Sequence, residues 1–519
     1  RKCNRILYRK QSLNIGGALK VATKDNRIKY NLLSGVLYQV VLIALSFLLP
    51  RLYLENFGSE VNGVLSTIKQ IFVYMLLLES GVGLATTQAL YKPVAEKNHN
   101  KVSSVISATH SYYVKVGVIY AIIVLLIALV YEYIVPTAIG PGVIFGIVIL
   151  TALPQLFSYF VQAKYRILLE VDGRKYVITN SETILQLISN VAKILVILLT
   201  NNLLLMQLSY CILSLLQLCY IYAYAKRRYK WLSVNAKPDY EAVSQRKSVL
   251  VHQVSGMVFN NTDILLLSFL CDFRVVSVYT IYNIFFSQIQ TFITSITSGF
   301  SFALGQMFHT DRARFMKVYN VYETFYIMAT FVIYTLMAVF LLPLIQIYTK
   351  GINDANYTNS LLVILFVVMN LLSNGKLPSN HVLEYAGKFE ETRSHAIWEM
   401  IINIAVSIAS ILKWGICGAI LGTIVALLYR GTMMIYYSNK KVLGRGMFHT
   451  YKLWLVNGAV FVTLMAIFYV DSFSGLSFAK LLIKGIIHSL WIVPLYIGVN
   501  FIFFKGAFKN LIELWRNKA

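Results

Sequence analysis

Ionic side chains are scarce in this chain. Asp, Glu, Lys and Arg make up only 13% of 519 residues, too few to cover the surface of a soluble globule of that length. Acidic residues are the scarcer sign, 22 against 47 basic, which leaves a formal charge of +25. Cysteine is rare too. Cys3, Cys211, Cys219, Cys271 and Cys417 are odd in number, lie mostly in apolar stretches, and lack the spacing of a metal site or a disulfide framework. No Gly-x4-Gly-Lys-[Ser/Thr] loop occurs, which argues against an ATPase acting by itself. No Ser/His/Asp or Cys/His arrangement follows from spacing, so no catalytic residue and no metal ligand is assigned. The links between apolar runs are too short for a nucleotide-binding domain.

What the chain has is hydrocarbon. Hydrophobic residues make up 57% and the mean hydropathy is +0.64. A helix needs about 20 apolar residues to cross the ~30 Å core of a bilayer. Fourteen such runs can be read, near 30–50, 61–91, 110–131, 142–163, 176–199, 203–225, 248–270, 276–305, 322–343, 358–374, 395–412, 416–436, 453–469 and 481–503. The expected fold is an all-α polytopic membrane protein with fourteen transmembrane helices. The second and eighth runs are long for one span, which predicts tilt or projection.

Basic residues set the orientation. The N-terminal segment and every alternate link after it carry 38 Lys and Arg, and the opposite set carries five: Arg51, Arg274, Lys350, Lys413 and Lys480. By the positive-inside rule both termini are cytoplasmic. The net charge then lies against an anionic inner leaflet, and no nucleic-acid partner is needed to explain it. Residues 1–29 are basic without the pattern of a signal peptide. They read either as an amphipathic helix on the inner leaflet, with Ile6, Leu7, Leu13 and Ile15 among Arg5, Arg9 and Lys10, or as a disordered tail.

The chain also repeats itself. Leu33-Ser34-Gly35 through Ser46-Phe47-Leu48 reads like Val254-Ser255-Gly256 through Ser268-Phe269-Leu270, and Ser80-Gly81, Ala85 and Gln88 recur as Ser298-Gly299, Ala303 and Gln306. A helix pair repeated half a length later predicts two related lobes. The expected division is an N-lobe at 30–225, a connector at 226–247, a C-lobe at 248–436, and two further helices with a basic tail at 437–519.

Polar residues inside spans must face protein or water. Glu182, Gln186, Ser189 and Lys193 share one face of the fifth span. Glu399, Asn403, Ser407 and Ser410 do so in the eleventh, and Ser287, Thr291, Thr294 and Ser298 in the eighth. Position along the spans puts Lys69, Lys193, Asp263, Lys484 and His488 in the outer half, with Arg51 and Lys413 at the outer rim. Glu79, Glu182, Glu399 and Lys115 fall in the inner half. Arg51, Lys69, Lys193, Lys413 and Lys484 are therefore the candidates for holding an anionic group, either a phosphate or a uronic acid. Asp263, Glu79, Glu182 and Glu399 are the candidate counter-ions or coupling groups, with H+ or Na+ as the coupling ion and no other cofactor. The competing reading is a set of internal ion pairs that lock helices together. Asp263 is read as a counter-ion to Lys69 or Lys193, or as a group that couples transport to a gradient. His488 reads as packed and His252 as inert. Tyr279 and Tyr282 are carbohydrate-stacking candidates. Gly418 and Gly422 form a close-packing pair.

Several motifs resemble one family. Arg51-Leu52-Tyr53 with Gly58, Glu60 and Gly63, then Leu78-Glu79-Ser80-Gly81-Val82-Gly83 and Leu90-Tyr91-Lys92-Pro93, are similar to the opening of bacterial polysaccharide repeat-unit flippases. These are the Wzx-like members of the multidrug/oligosaccharidyl-lipid/polysaccharide exporter superfamily. Asn261-Thr262-Asp263 with Val278, Tyr279 and Tyr282 fits the start of a second lobe. The resemblance implies two six-helix lobes around a central cavity plus two C-terminal helices, in the bacterial cytoplasmic membrane. It implies alternating access, with an undecaprenyl-diphosphate-linked oligosaccharide of capsule or O-antigen moved from inner to outer leaflet. Helices 13 and 14 would offer a groove for the lipid tail. Membrane lipids, a polysaccharide polymerase and a chain-length regulator are the implied partners. A multidrug antiporter of the same superfamily is the second reading, and a membrane enzyme acting on lipid-linked sugars the third.

Overall fold

The computed structural model describes residues 26–79, 82–134, 137–241, 247–468, 473, 475 and 477–516, without the side chains of 26–42, 44, 84, 132–134, 247–250, 252, 298, 299 and 302. The expectations for residues 1–25, for Ser80-Gly81, and for the side chains of His252 and Ser298 lie outside the described residues.

Among the described residues a helical segment lies over each of the fourteen apolar runs, and eleven helical stretches are long and apolar enough to cross a membrane. The continuous stretch Asn26–Met75 is two helices joined at Gly58, where φ is 81° and ψ 176°. We call residues 26–57 α1. The second helix, α2, restarts at residue 59, passes through the 3-10 turn Leu76–Glu79, and continues as Val82–Ala95. Next come α3 (His99–Ile134), α4 (Pro141–Phe157, extended by the π turn Ser158–Gln162 into Ala163–Val171), α5 (Lys175–Thr200) and α6 (Leu203–Arg228). The second half holds α7 (Lys247–Leu270), α8 (Phe273–Thr310), α9 (Arg312–Tyr348) and α10 (Ser360–Gly375, resumed as Leu377–Tyr385). It continues with α11 (Phe389–Trp414), α12 (Ile416–Tyr436, drawn out by the π turn Tyr437–Leu443), α13 (Phe448–Ile467) and α14 (Phe478–Phe503). A last helix, α15 (Lys505–Arg516), is short and amphipathic.

The first span does not stop at Leu49-Pro50-Arg51. It runs through Pro50 to the Gly58 corner, because a proline within a membrane helix is tolerated where neighbours compensate the freed backbone. Gly58 is required at that corner: its φ lies in the left-handed region.

The chain packs as two compact units. One runs to Leu52 and from Met75 to Arg246; the other takes Tyr53–Tyr74 together with Lys247 onward. In the first unit α5 lies on α6 and α4 on α6 and α3. The connector's first part is pinned there: Lys101 pairs with Asp239, the Ser233 amide donates to Ser103 Oγ at 3.3 Å, and His99 lies against Trp231.

The second unit has its core among α8, α9, α10 and α12, where Tyr282, Phe286, Tyr334 and Phe366 are buried and their rings meet. The start of α2 belongs to this core. A Cβ on Gly63 would collide with the backbone of Phe273, Asn62 Nδ2 donates to Ser277 Oγ at 2.7 Å, and Val64 and Ile68 are buried. Asp354 caps the helix by accepting from the Ser59 amide at 2.7 Å and the Ser59 hydroxyl at 2.6 Å. The hydroxyl of Tyr357 joins Ser59 to Ser277. Helices α13 and α14 attach through Thr335–Tyr496 at 2.8 Å and through Trp454, which fills the space that a side chain at Gly375 would need.

Candidate functional site

Helices α11 and α12 form a hairpin with a one-residue turn. Gly415 sits there at φ 52°, ψ −127°, a conformation open to glycine. The two helices then run in close contact. A Cβ on Gly418 would enter the backbone of Ser410, and one on Gly422 would lie 2.6 Å from the amide nitrogen of Ser407. The close-packing pair thus works as its spacing implies. It also brings the polar face of α11, Glu399, Asn403, Ser407 and Ser410, wholly into the interior.

Asp263 of α7 points into this contact. Tyr279 of α8 donates to its Oδ2 at 2.9 Å and Thr423 of α12 at 3.0 Å. Asn403 donates to Thr423 Oγ1 at 2.9 Å and lies against the carboxyl group. Ser407 donates to the carbonyl of Ala419, 3.3 Å away. Two oxygens in this cluster, Asp263 Oδ1 and Asn403 Oδ1, are buried with no hydrogen-bond partner among the described residues. Only neutral donors reach the carboxyl, and no ion pair joins it to Lys69. Four helices therefore gather carboxylate, amide, hydroxyl and carbonyl oxygens in a dry place. Such a set suits a proton or a small hard cation. No cluster of three or more His, Cys, Asp or Glu able to hold a metal occurs among the described residues.

Tyr279 and Tyr282 are not available for stacking on sugars. Both are buried; the first serves Asp263, and the second donates to the carbonyl of Tyr357 at 2.8 Å. The hydroxyls of Ser287, Thr291 and Thr294 bond to carbonyls of their own helix.

Glu399 sits between two cations. Lys376 Nζ is 2.7 Å from one oxygen and Arg430 Nε 3.3 Å from the other. Arg430 also donates to the carbonyl of Thr392, and Lys376 lies over the Phe259 ring. Both cations belong to the inner links in the orientation count. Lys376 instead marks the joint within α10, and Arg430 is buried in α12. A second buried carboxylate went unread in the sequence: Glu323 of α9 is fully buried, paired with Arg445 and accepting from Thr450 at 2.7 Å.

The other candidates are dispersed within their units. In the second, Lys69 is exposed on α2 and makes no ion pair or hydrogen bond among the described residues. Lys413 is exposed in the last turn of α11. Lys484 lies over the Phe473 ring, beside His488, which packs among Phe340, Phe468, Phe473 and Trp491. In the first unit Arg51 is half-buried on α1, Lys193 Nζ stands 4.4 Å from the Tyr210 ring centre, and Glu182 pairs with Arg166. Glu79 ends the 3-10 turn of α2 near Tyr112 and Tyr113.

Between α13 and α14 runs an apolar groove of about 640 Å³, lined by Leu455, Val460, Leu464, Trp491, Leu495 and Phe503 among others.

No family model and no curated protein matches this chain. Solved structures do. The lipid II flippase MurJ in an inward closed conformation superposes with a TM-score of 0.64 at 15% identity, over 92% of this chain and 99% of that one. A multidrug resistance MATE family transporter of the MOP superfamily gives 0.56 at 12% identity in its inward-facing form, over 82% and 96%. The outward-facing form gives 0.54 at 12%, over 81% and 96%. The chain shares the fold of these structures. At these identities the likeness is one of architecture, and that architecture brings α7, α8, α11 and α12 together around Asp263.

Proposed function

We propose that this membrane protein is a flippase that moves a lipid-linked oligosaccharide, carried on undecaprenyl diphosphate, across the bacterial cytoplasmic membrane by alternating access. The observation that carries the reading is the extent of the likeness to a lipid II flippase. It takes in 92% of the chain, against 82% and 81% for the inward-facing and outward-facing multidrug transporter forms described above. The apolar groove of α13 and α14 supports a long hydrocarbon tail as part of the cargo, because such a tail stays in an apolar channel while its polar head crosses. Lys69, exposed and unpaired among the described residues, supports contact with an anionic head; Arg51, Lys193, Lys413 and Lys484 are the further candidates. Asp263 is the coupling group, taking up H+ or Na+ in a cluster whose two unpartnered oxygens favour a cation. Glu79, Glu182 and Glu399 are counter-ions. A polysaccharide polymerase and a chain-length regulator act next on the product.

The test is export. Lys69→Ala and Arg51→Ala, made in the native host, should each stop surface polysaccharide from appearing and leave lipid-linked repeat units in the inner leaflet, with the protein still in the membrane. Unchanged export in both, or cation-drug efflux in place of lipid transfer in vesicles, would turn the reading toward a multidrug antiporter.

A further inference from the structure

The last helix has a pattern that no span shares. In Lys505–Arg516 the apolar residues Ala507, Phe508, Leu511, Ile512, Leu514 and Trp515 fall on one side. Lys505, Lys509 and Arg516 fall together on the edge beside them, within about 40° of one another at 3.6 residues per turn. The sole acid, Glu513, is engaged by Lys317 at 3.8 Å.

Part of the apolar side faces protein. Ala507 is buried, and Phe508 packs on Phe325 of α9 at 5.0 Å and on Phe501 of α14 at 5.4 Å. The remainder faces away: Leu511, Ile512 and Trp515 are 42%, 56% and 75% exposed. What covers them follows from continuity. The span α14 ends at Phe503, and the single residue Phe504 separates it from Lys505. One residue extends the chain by only about 3.5 Å, so α15 begins where the bilayer surface is. At that same junction Lys452 Nζ reaches toward the carbonyl of Phe503, 3.5 Å away.

We propose that α15 is an interfacial anchor. Leu511, Ile512 and Trp515 are seated among the lipids of the leaflet at which α14 ends. Lys505, Lys509 and Arg516 hold anionic phospholipid headgroups along the helix's outer edge. An aromatic at the headgroup level beside long basic side chains is what such a surface selects. The ties to α9 through Phe508 and Glu513 mean that the anchored helix fixes the end of α9 relative to the membrane plane.

The full chain, reconstituted in equimolar phosphatidylcholine and phosphatidylglycerol vesicles, tests this without a transport assay. Tryptophan fluorescence is compared between the native chain and Trp515→Phe. The component lost in the variant should be quenched by lipids brominated near the headgroup and shielded from iodide. Quenching by iodide with indifference to brominated lipid would overturn the anchor. Phosphatidylglycerol retained on purification should fall about fivefold for each cation removed in the Lys505→Gln, Lys509→Gln, Arg516→Gln series. A charge-keeping control, Lys505→Arg with Lys509→Arg, should retain it. Equal retention in the neutralised and native chains would overturn the headgroup assignment.

Discussion

Replacing Asp263 by Asn should separate stability from coupling. In the native cluster Tyr279 and Thr423 both donate to Oδ2, while Asp263 Oδ1 and Asn403 Oδ1 are two buried acceptors without donors. An asparagine at 263 keeps an oxygen for the two hydroxyls. Its Nδ2 brings a donor into a cluster that holds an unmet buried acceptor, Asn403 Oδ1. A hydrogen bond made there is worth about 1 kcal/mol for a neutral pair, and a buried carboxylate is removed by the substitution. The variant should unfold in detergent at a temperature equal to or above that of the native protein. Thr423→Val should act in the opposite direction, costing about 1–3 kcal/mol by leaving buried partners unmet. On the proposed function, in which Asp263 carries the coupling ion, coupling should behave otherwise. An amide cannot exchange a proton or offset a cation's charge, so the gradient's work is lost. One charge moved through 100 mV is worth about 2.3 kcal/mol, or about 50-fold in a concentration ratio at about 1.4 kcal/mol per decade. Transfer of a lipid-linked oligosaccharide in vesicles with an imposed gradient should therefore fall in Asp263→Asn to the level that an ionophore produces in the native protein. An Asp263→Asn chain that melts several degrees lower, or that still responds to the ionophore, would refute the argument.

Other outcomes follow from the packing. Gly422→Ala should cost about 1–3 kcal/mol, because its Cβ would lie 2.8 Å from the Cα of Ser407; the melting temperature reports it. Glu323→Ala should destabilise by about 3–5 kcal/mol, since Arg445 is left without its carboxylate. A Glu323→Leu, Arg445→Met pair should recover part of that in the same measurement. Asp354→Ala removes two hydrogen bonds from Ser59, each about 1.5–3 kcal/mol to a charged acceptor. Amide exchange at residues 59–63 should quicken there while α12 amides keep their protection.

Much of the frame could be read before folding because a bilayer imposes one length and one solvent on every span. Among the described residues a helix lies over each of the fourteen apolar runs, and the polar face of α11 lies inward because lipid cannot receive it. Reading failed where charge and helix ends coincide. Lys376 lies just beyond the apolar run 358–374, and Arg430 lies near the basic end of the run 416–436, so both read as inner-link cations; α10 resumes after Lys376 and α12 runs on past Arg430. Their meeting with Glu399, 23 positions from Lys376, depends on three helices packing at one height. Pro50 looked like a stop, although the corner is at Gly58, eight residues on. Tyr279 was noticed for its ring, while its hydroxyl on Asp263 is the feature that matters. That pairing spans a helix-to-helix crossing, which periodicity along one helix does not encode.

The membership of Tyr53–Tyr74 in the second unit bears on how the gene could be divided. A cut in the connector between Glu241 and Lys247 looks natural from hydropathy. It would leave the downstream fragment without Ser59, Asn62 and Gly63, and so without the strand of chain that Asp354, Ser277 and Phe273 are shaped to receive. Of two fragments expressed side by side, the upstream one would have to supply that piece before the downstream one was whole. The earlier half of the chain thus carries a part of the later one's interior.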